Sequence, residues 1–597
     1  MKKLKELGMA FRHVPELFQL IYKTDKRYLF YLICEMLSFA VISYPTMFLV
    51  KYAFDAMEDQ KPFSQFAVVC VSLLLLQLGI YLIKSFFNNV RPARSSYVIG
   101  ILYNAFHRKS MELDYELLAE KEIQELMVFA GDFIKWRLKN AVWNFVSLFS
   151  SLIAFAISCA LLIHIKIWLI AAVVAGMLFD AFLAAKFVAP RFKLDNEITK
   201  NERHIRYFDE TATNENSAKD LRIFNLGDKM KERAAGYVNE NFQLELHKKR
   251  YSDLQEFLSV FLSHGIDFVI YAVLGYYVLE GKLSIGSLSL AIGNIALFRQ
   301  YFGKISSTLV GYSDTAKYIE YYNRFMSLES KFHKTGTMPF LLSSNDSFQI
   351  EFKDVSFRYP GQTEYALRHL NLVVHSGEKI SIIGENGAGK STFVKLLMRL
   401  YDPTEGEILM NGINIKEFDY DQYLSAFAPI FQDYKLFAFT VDENISSFEN
   451  GKQEMVQHAA KMAGIHDRIM QLPKQYDTFL TKQFDDEGVE FSGGEQQKIA
   501  IARTYCKTHA FITILDEPTG ALDPRAEYAI YQEFNELIGD RTAFFISHRL
   551  ASSKFCDKII VIKDKQICEF GSHEELMGGK GYYYTLFNMQ ASYYQVN

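Results

Sequence analysis

The chain has 597 residues, too many for one hydrophobic core, so at least two domains are expected. Hydrophobic residues make up 50% and charged residues 22%, and the formal charge is only −4, which gives no basis for a nucleic-acid partner. The six cysteines (Cys34, Cys70 and Cys159 in apolar runs, Cys506, Cys556 and Cys568 in more polar sequence) show neither metal-ligand spacing nor a disulfide framework. They read as small hydrophobes in a reducing compartment.

Residues 1–27 begin with Lys2, Lys3 and Lys5 and continue as a mixed, amphipathic stretch. No short apolar core with a small-residue cleavage site follows, so a helix lying on the cytoplasmic membrane face is expected rather than a signal peptide. A bilayer core of about 30 Å takes about 20 apolar residues in a helix. Six runs approach that length, at 28–50, 66–87, 141–164, 166–188, 256–279 and 286–303. A tight break at His164-Ile165-Lys166 separates the third from the fourth, and Ser287, Ser289, Gly293 and Asn294 dilute the sixth. The expectation is a six-span α-helical membrane domain over 28–326.

Basic residues orient it. Lys23, Lys26 and Arg27 precede the first run, Arg91, Arg94, Arg108 and Lys109 follow the second, and Arg191, Lys193, Arg203, Arg206, Lys219 and Arg222 follow the fourth. The segments after runs one, three and five are short and poor in positive charge, which places both termini in the cytoplasm. The connections after runs two and four are too long for turns and read as helices extending into the cytoplasm and returning. Glu35, Asp180, His264 and Asp267 fall inside runs, where an ionised group costs roughly 2.5–3.5 kcal/mol on insertion scales. Each needs a partner or water, and each is either a substrate or proton site or an interhelical polar contact.

Between 327 and 347 the sequence turns to Gly336, Pro339 and Ser343-Ser344-Asn345-Asp346, which is linker composition. From Phe348 apolar residues alternate, marking strands of a second domain over 348–597. Its most informative stretch is Gly384-Glu385-Asn386-Gly387-Ala388-Gly389-Lys390-Ser391-Thr392, which fits the phosphate-cradling pattern G-x-x-x-x-G-K-[ST]. The strand pattern Ile380-Ser381-Ile382-Ile383 precedes it, and a helical pattern (Phe393, Leu396, Leu397, Leu400) follows. Glycines at such a turn let backbone N–H groups close on phosphate oxygens, and the helix N-terminus adds partial positive charge. Lys390 is placed to reach the outer phosphates and the Ser391 hydroxyl to face Mg²⁺. Further on, the apolar strand Phe511–Leu515 delivers Asp516 and Glu517. Asp516 suits Mg²⁺, and Glu517 suits polarising a water for in-line attack.

Shortly before that strand stands Phe491-Ser492-Gly493-Gly494-Glu495-Gln496-Gln497-Lys498. Together with the phosphate loop and the Asp516-Glu517 strand, it resembles the signature of the ATP-binding cassette (ABC) transporters. That pattern usually reads Leu-Ser-Gly-Gly-Gln, so Phe491 and Glu495 depart from it. Six spans ahead of one α/β P-loop cassette resemble the exporter-type half-transporter, and the resemblance covers nearly the whole chain.

The resemblance implies that Ser492, Gly493 and Gly494 face the ATP held by a second cassette, so that one chain supplies half of each site. It implies adenine stacking for Tyr359, a link between Mg²⁺, attacking water and membrane domain for Gln432, and a γ-phosphate contact for His548. It assigns Ala521-Leu522-Asp523 to a loop crossing to the partner. It also makes Ser217–Phe224 a coupling helix docking on a cassette, with 117–124 as its counterpart. ATP and Mg²⁺ are the implied cofactors. The implied activity is ATP hydrolysis driving alternating access, with export of a hydrophobic or amphipathic molecule, peptide or lipid. Uptake by the same architecture and an ATP-gated channel or sensor are alternatives. The second chain is either an identical copy, since Glu517 and His548 are both present, or a different half-transporter, since the signature is altered. The implied location is the lipid of a prokaryotic cell membrane, and the apolar runs exclude a soluble ABC protein.

Overall fold

The computed structural model describes residues 15, 18–332, 336–342, 346–448, 453–516, 538–546 and 550–595. The chain divides into two compact units. One comprises Met1–His107 and Val128–Arg324, and the other Arg108–Met127 and Phe325–Asn597.

The first unit is helical. Its elements are α1 (Lys26–Val41), α2 (Tyr44–Glu58), α3 (Phe63–Glu112, whose last turn belongs to the other unit), and then, past α4 (Tyr115–Ala119), α5 (Lys121–Asp132) and α6 (Leu138–Ile165). After these come α7 (Trp168–Thr213), α8 (Glu215–Ile223), α9 (Gly227–Leu279) and α10 (Ile285–Met326). Asp25 caps α1 by accepting from the N–H groups of Arg27 and Tyr28, and Lys166, in extended backbone, ends α6 where the sequence breaks.

Among the described residues four helical stretches, 26–58, 63–112, 121–165 and 227–279, are long and apolar enough to cross a membrane. The runs at 166–188 and 286–303 lie on α7 and α10, which fall outside that group; α7 carries a shorter apolar stretch, Trp168–Asp180. The small polar residues of the sixth run, with Arg299, lower the apolarity of α10. On α3 large side chains such as Leu75, Leu82 and Phe86 stand exposed, an arrangement that suits a lipid environment.

Polar groups inside this unit find one another. Tyr44 donates its hydroxyl proton to the Ala154 carbonyl at 2.5 Å and lies 2.9 Å from Ser158 Oγ. Asn294 donates to the Ser158 carbonyl at 2.9 Å, so α2, α6 and α10 meet at one point. Each acidic residue singled out in the runs also has a neighbour. Glu35, 1% exposed, lies 3.6 Å from Arg91, whose guanidinium covers the Trp143 ring at 4.5 Å. Asp267 Oδ2 accepts a hydrogen bond from Arg299 Nη1 at 2.6 Å, with His264 3.9 Å away, and Asp180 accepts from Ser259 Oγ at 3.2 Å.

The second unit is α/β. An antiparallel sheet has the order β2-β1-β4-β5, from β1 (Gln349–Phe357), β2 (Leu367–His375), β4 (Glu405–Met410) and β5 (Ile413–Asn414). A second sheet has the order β10-β9-β3-β8-β7-β6, from β3 (Lys379–Gly384), β6 (Phe427–Ile430), β7 (Ile512–Asp516), β8 (Thr542–Ile546), β9 (Lys558–Lys563) and β10 (Gln566–Gly571). Its strands are parallel except β10, which pairs antiparallel with β9. Parallel strands covered on both faces read as unbroken apolar runs, as β7 and β8 do. Phe352, Phe393, Ile382 and Phe544 form one core between the two sheets. Phe340, from the stretch read as linker, is buried in that core.

The segment 108–127 is part of this unit. Asp114, 3% exposed, accepts from the backbone N–H groups of Lys331 (2.6 Å) and Phe332 (3.4 Å) and from the Ser330 hydroxyl. Tyr115 packs edge-on against Tyr401 at 5.5 Å. The stretch 117–124, read as one coupling helix, is in fact the end of α4 and the start of α5. Glu120 sits between them in extended backbone and interrupts the helix. The other coupling segment is helical as α8.

Candidate functional site

In a parallel sheet the strand ends at one edge gather loops into a crevice. Registers set the arrangement here. Ile382 of β3 pairs with Ile546 of β8, which also pairs with Asp516 of β7, so Asp516 ends its strand level with the last turn of β3. Beyond Gly384 the chain turns through the glycine-rich loop into α11 (Lys390–Leu397), capped by Gly389 at φ +106°.

Two glycines here are obligatory. A Cβ on Gly389 would stand 2.5 Å from Leu367 Cδ2 in a left-handed backbone, and one on Gly384 would stand 2.4 Å from the Ile562 carbonyl oxygen. The loop is therefore pressed against β2 and β9. Lys390 donates to the carbonyls of Gly384 (2.9 Å) and Glu385 (3.1 Å), spanning the loop.

Asn386, Gly387, Gly389, Lys390, Ser391, Thr392, Tyr359 and Gln432 line one cleft of about 620 Å³. The Tyr359 hydroxyl lies 2.9 Å from Thr392 Oγ1, and its ring packs edge-on against Phe357 and Tyr401. A cradle with obligatory glycines, a lysine and two hydroxyl side chains at a helix N-terminus fits a nucleoside triphosphate. Ser391, Gln432 and Asp516 offer the oxygen donors a hard divalent cation takes. Sequence reasoning missed Lys565, at a left-handed turn between β9 and β10, and Glu364, 3.1 Å from it. Only sheet topology brings that lysine to the cleft.

Gly384, Glu385, Ala388 and Asp516 stand at the loop or strand end without lining the cleft, and neither do Ser492, Gly493 and Gly494. Ser492 instead caps α12 (Gly493–Cys506). Glu495, the departure from the usual signature, closes a capping box. Its carboxylate accepts from Ser492 N–H and O–H, both at 2.9 Å, and from Arg468 Nε at 2.9 Å. The Ser492 N–H, joined by the hydroxyl and Arg468, holds the Glu495 carboxyl below its usual range. Tyr434, two residues past Gln432, donates to the Gly493 carbonyl at 3.2 Å, joining the cleft wall to the signature. Glu517, Asp523 and His548 lie outside the described residues.

Fold and site define a P-loop nucleotide-binding domain of cassette type. The ABC transporter family pattern matches residues 367–520. The chain is 29% identical over 595 residues to the subtilin transport ATP-binding protein SpaT of Bacillus subtilis, covering 96% of this chain and 94% of that one. It is 37% identical over 267 residues to ABC transporter B family member 3 of Dictyostelium discoideum, covering 44% of this chain and 18% of that protein. In fold it matches a bacterial Atm1-family ABC exporter with ATP bound, with a TM-score of 0.75 and 23% identity over 95% of this chain and 98% of that one. Residues 367–520 thus carry an ABC transporter domain, fused in this chain to a helical membrane-type region, and the matches imply ATP hydrolysis coupled to transport.

Proposed function

We propose that the protein is one half of an exporter: a six-span membrane domain over 28–326 driven by the cassette over 348–597, with both termini and the cassette in the cytoplasm of a prokaryotic cell. The observation that carries this reading is the glycine-rich loop at the end of β3, opening into the cleft with Lys390, Ser391 and Tyr359. It stands in a chain that also carries helices long enough to cross a bilayer. Positive charge after the second and fourth runs supports the orientation.

In this reading Lys390 and the loop amides hold the outer phosphates of ATP, and Tyr359 stacks on the base. Glu517 takes a proton from the attacking water, His548 contacts the γ-phosphate, and Gln432 orients the water. Mg²⁺, held by Ser391, Gln432 and Asp516, supplies charge neutralisation at the phosphates. Ser492, Gly493, Gly494 and Asp523 serve the cassette of a second half-transporter, identical or different. The site thus discriminates closed from open cassettes, because only a closed pair contacts the nucleotide from both sides.

The transported molecule is hydrophobic or amphipathic, a peptide or lipid. A relative matched along almost its whole length is named for subtilin transport, which makes subtilin the first compound to test. Purified protein in inverted vesicles, given ATP, is expected to accumulate a compound identified by mass spectrometry of ligand retained through purification. ATP-driven loss from the vesicles would mean import, and current without ATP hydrolysis would mean a channel.

A further inference from the structure

The last helix, α13 (Tyr582–Gln595), is fastened to the strand that carries the phosphate loop. Tyr583 is fully buried in a cluster with Ile383, Ile559 and Val561, and Ile383 directly precedes Gly384. Its hydroxyl lies 2.9 Å from Ser553 Oγ and 2.6 Å from His573 Nδ1. The Glu569 carboxylate accepts from the N–H groups of Tyr582 (2.6 Å) and Tyr583 (2.9 Å), placing an anion at the helix N-terminus. A Cβ on Gly581 would lie 1.9 Å from Glu569 Oε1, so a larger residue there would push that carboxylate from its place. The start of α13 is thus held from several directions.

Tyr582 uses that rigid placement to reach the loop. Its hydroxyl donates to Glu385 Oε1 at 2.5 Å, and Lys563 stands over its ring at 4.4 Å. Glu385 is the second residue of the loop, and its carbonyl accepts both the Ala388 N–H and the Lys390 ammonium at 3.1 Å. A carboxylate in a loop built to gather phosphate oxygens opposes its own ligand unless it is turned aside and hydrogen-bonded. The Glu385 carboxylate in turn pushes the Tyr582 hydroxyl up to about 12, so the hydroxyl keeps its proton at any working pH.

We propose that Tyr582 is a positioning residue of the nucleotide site, holding the Glu385 carboxylate away from the phosphates and thereby fixing the carbonyl that Lys390 spans. The inference rests on residues 384–392 being the ATP loop. The test is steady-state ATP hydrolysis by the full chain, with whichever partner chain it needs, together with ATP-dependent thermal shift. Tyr582→Phe removes one hydroxyl and is expected to raise KM for ATP about two- to tenfold, the worth of one hydrogen bond. kcat is expected to stay within about twofold, with the nucleotide-free Tm unchanged, because the ring and its burial remain. In a Glu385→Gln background, where no charge needs restraining, Tyr582→Phe is expected to add nothing. An unchanged KM in Tyr582→Phe would overturn the proposal, and so would an equal rise in the Glu385→Gln background. Absence of any ATP-dependent shift in the parent protein would overturn the nucleotide reading itself, and the inference with it.

Discussion

The two compact units handle charge in opposite ways. In the cassette, ionisable groups collect at strand ends and loop mouths, where water and ligand meet them. Inside the apolar runs of the helical unit they are withdrawn into pairs, Glu35 with Arg91 and Asp267 with Arg299. Charge placed at an edge is available for chemistry, whereas charge folded inward holds helices in register. If that contrast is right, substitutions in the first unit should act mainly on stability and those in the second mainly on turnover.

The largest effect tests the cassette. Glu517→Gln is expected to keep ATP binding and lower hydrolysis by about 10²–10⁴-fold, the range of a lost general base. Turnover within a few-fold of the parent would remove Glu517 from its role. Lys390→Ala should weaken ATP binding itself by roughly ten- to a hundredfold, as loss of a charged hydrogen bond does. A binding isotherm that overlays the parent's would break the phosphate assignment.

The helical unit is tested by its pair. Arg299→Ala leaves Asp267 inside the helices without its cation and should cost about 3–5 kcal/mol, read as a lower Tm. Asp267→Ala combined with Arg299→Ala should cost less than either single change if the pair is structural. A double variant whose loss of stability equals the sum of the two single losses would show the two side chains acting separately.

The smallest expected effect lies at the signature helix. Glu495→Ala should cost about 1 kcal/mol at neutral pH through the lost capping box. The carboxyl of Glu495 is held below its usual range in the folded protein. Its contribution is therefore full above the ordinary carboxylate range and fades as pH falls through the lowered folded value. The gap in Tm between parent and variant should accordingly narrow in acid.

What could be read from sequence follows the same contrast. The phosphate loop is one contiguous stretch, and its glycines announce their backbone demands by identity alone. The signature, the Asp516 strand and the long helices are similarly local. Asp267 could be singled out because a carboxylate in an apolar run is conspicuous, but Arg299 stands 32 residues away on another helix. No spacing rule joins them. Lys565 reaches the nucleotide cleft, and Tyr582 the loop, only because sheet order puts β9 beside β3 and β10 beside β9. The interruption at Glu120 was equally hidden, since nothing in its neighbours announces an extended residue there.

The knot at Asp114 bears on anyone who would excise the soluble half. A fragment cut to begin at Phe348 loses Phe340 from its interior, and with it Asp114 and the 330–332 segment that its carboxylate gathers. It also strips Tyr115 from the face of Tyr401. Such a truncate would carry newly bared aromatic surface beside its own nucleotide cleft, so its solubility and affinity would describe an injured domain rather than the cassette as the intact polypeptide holds it.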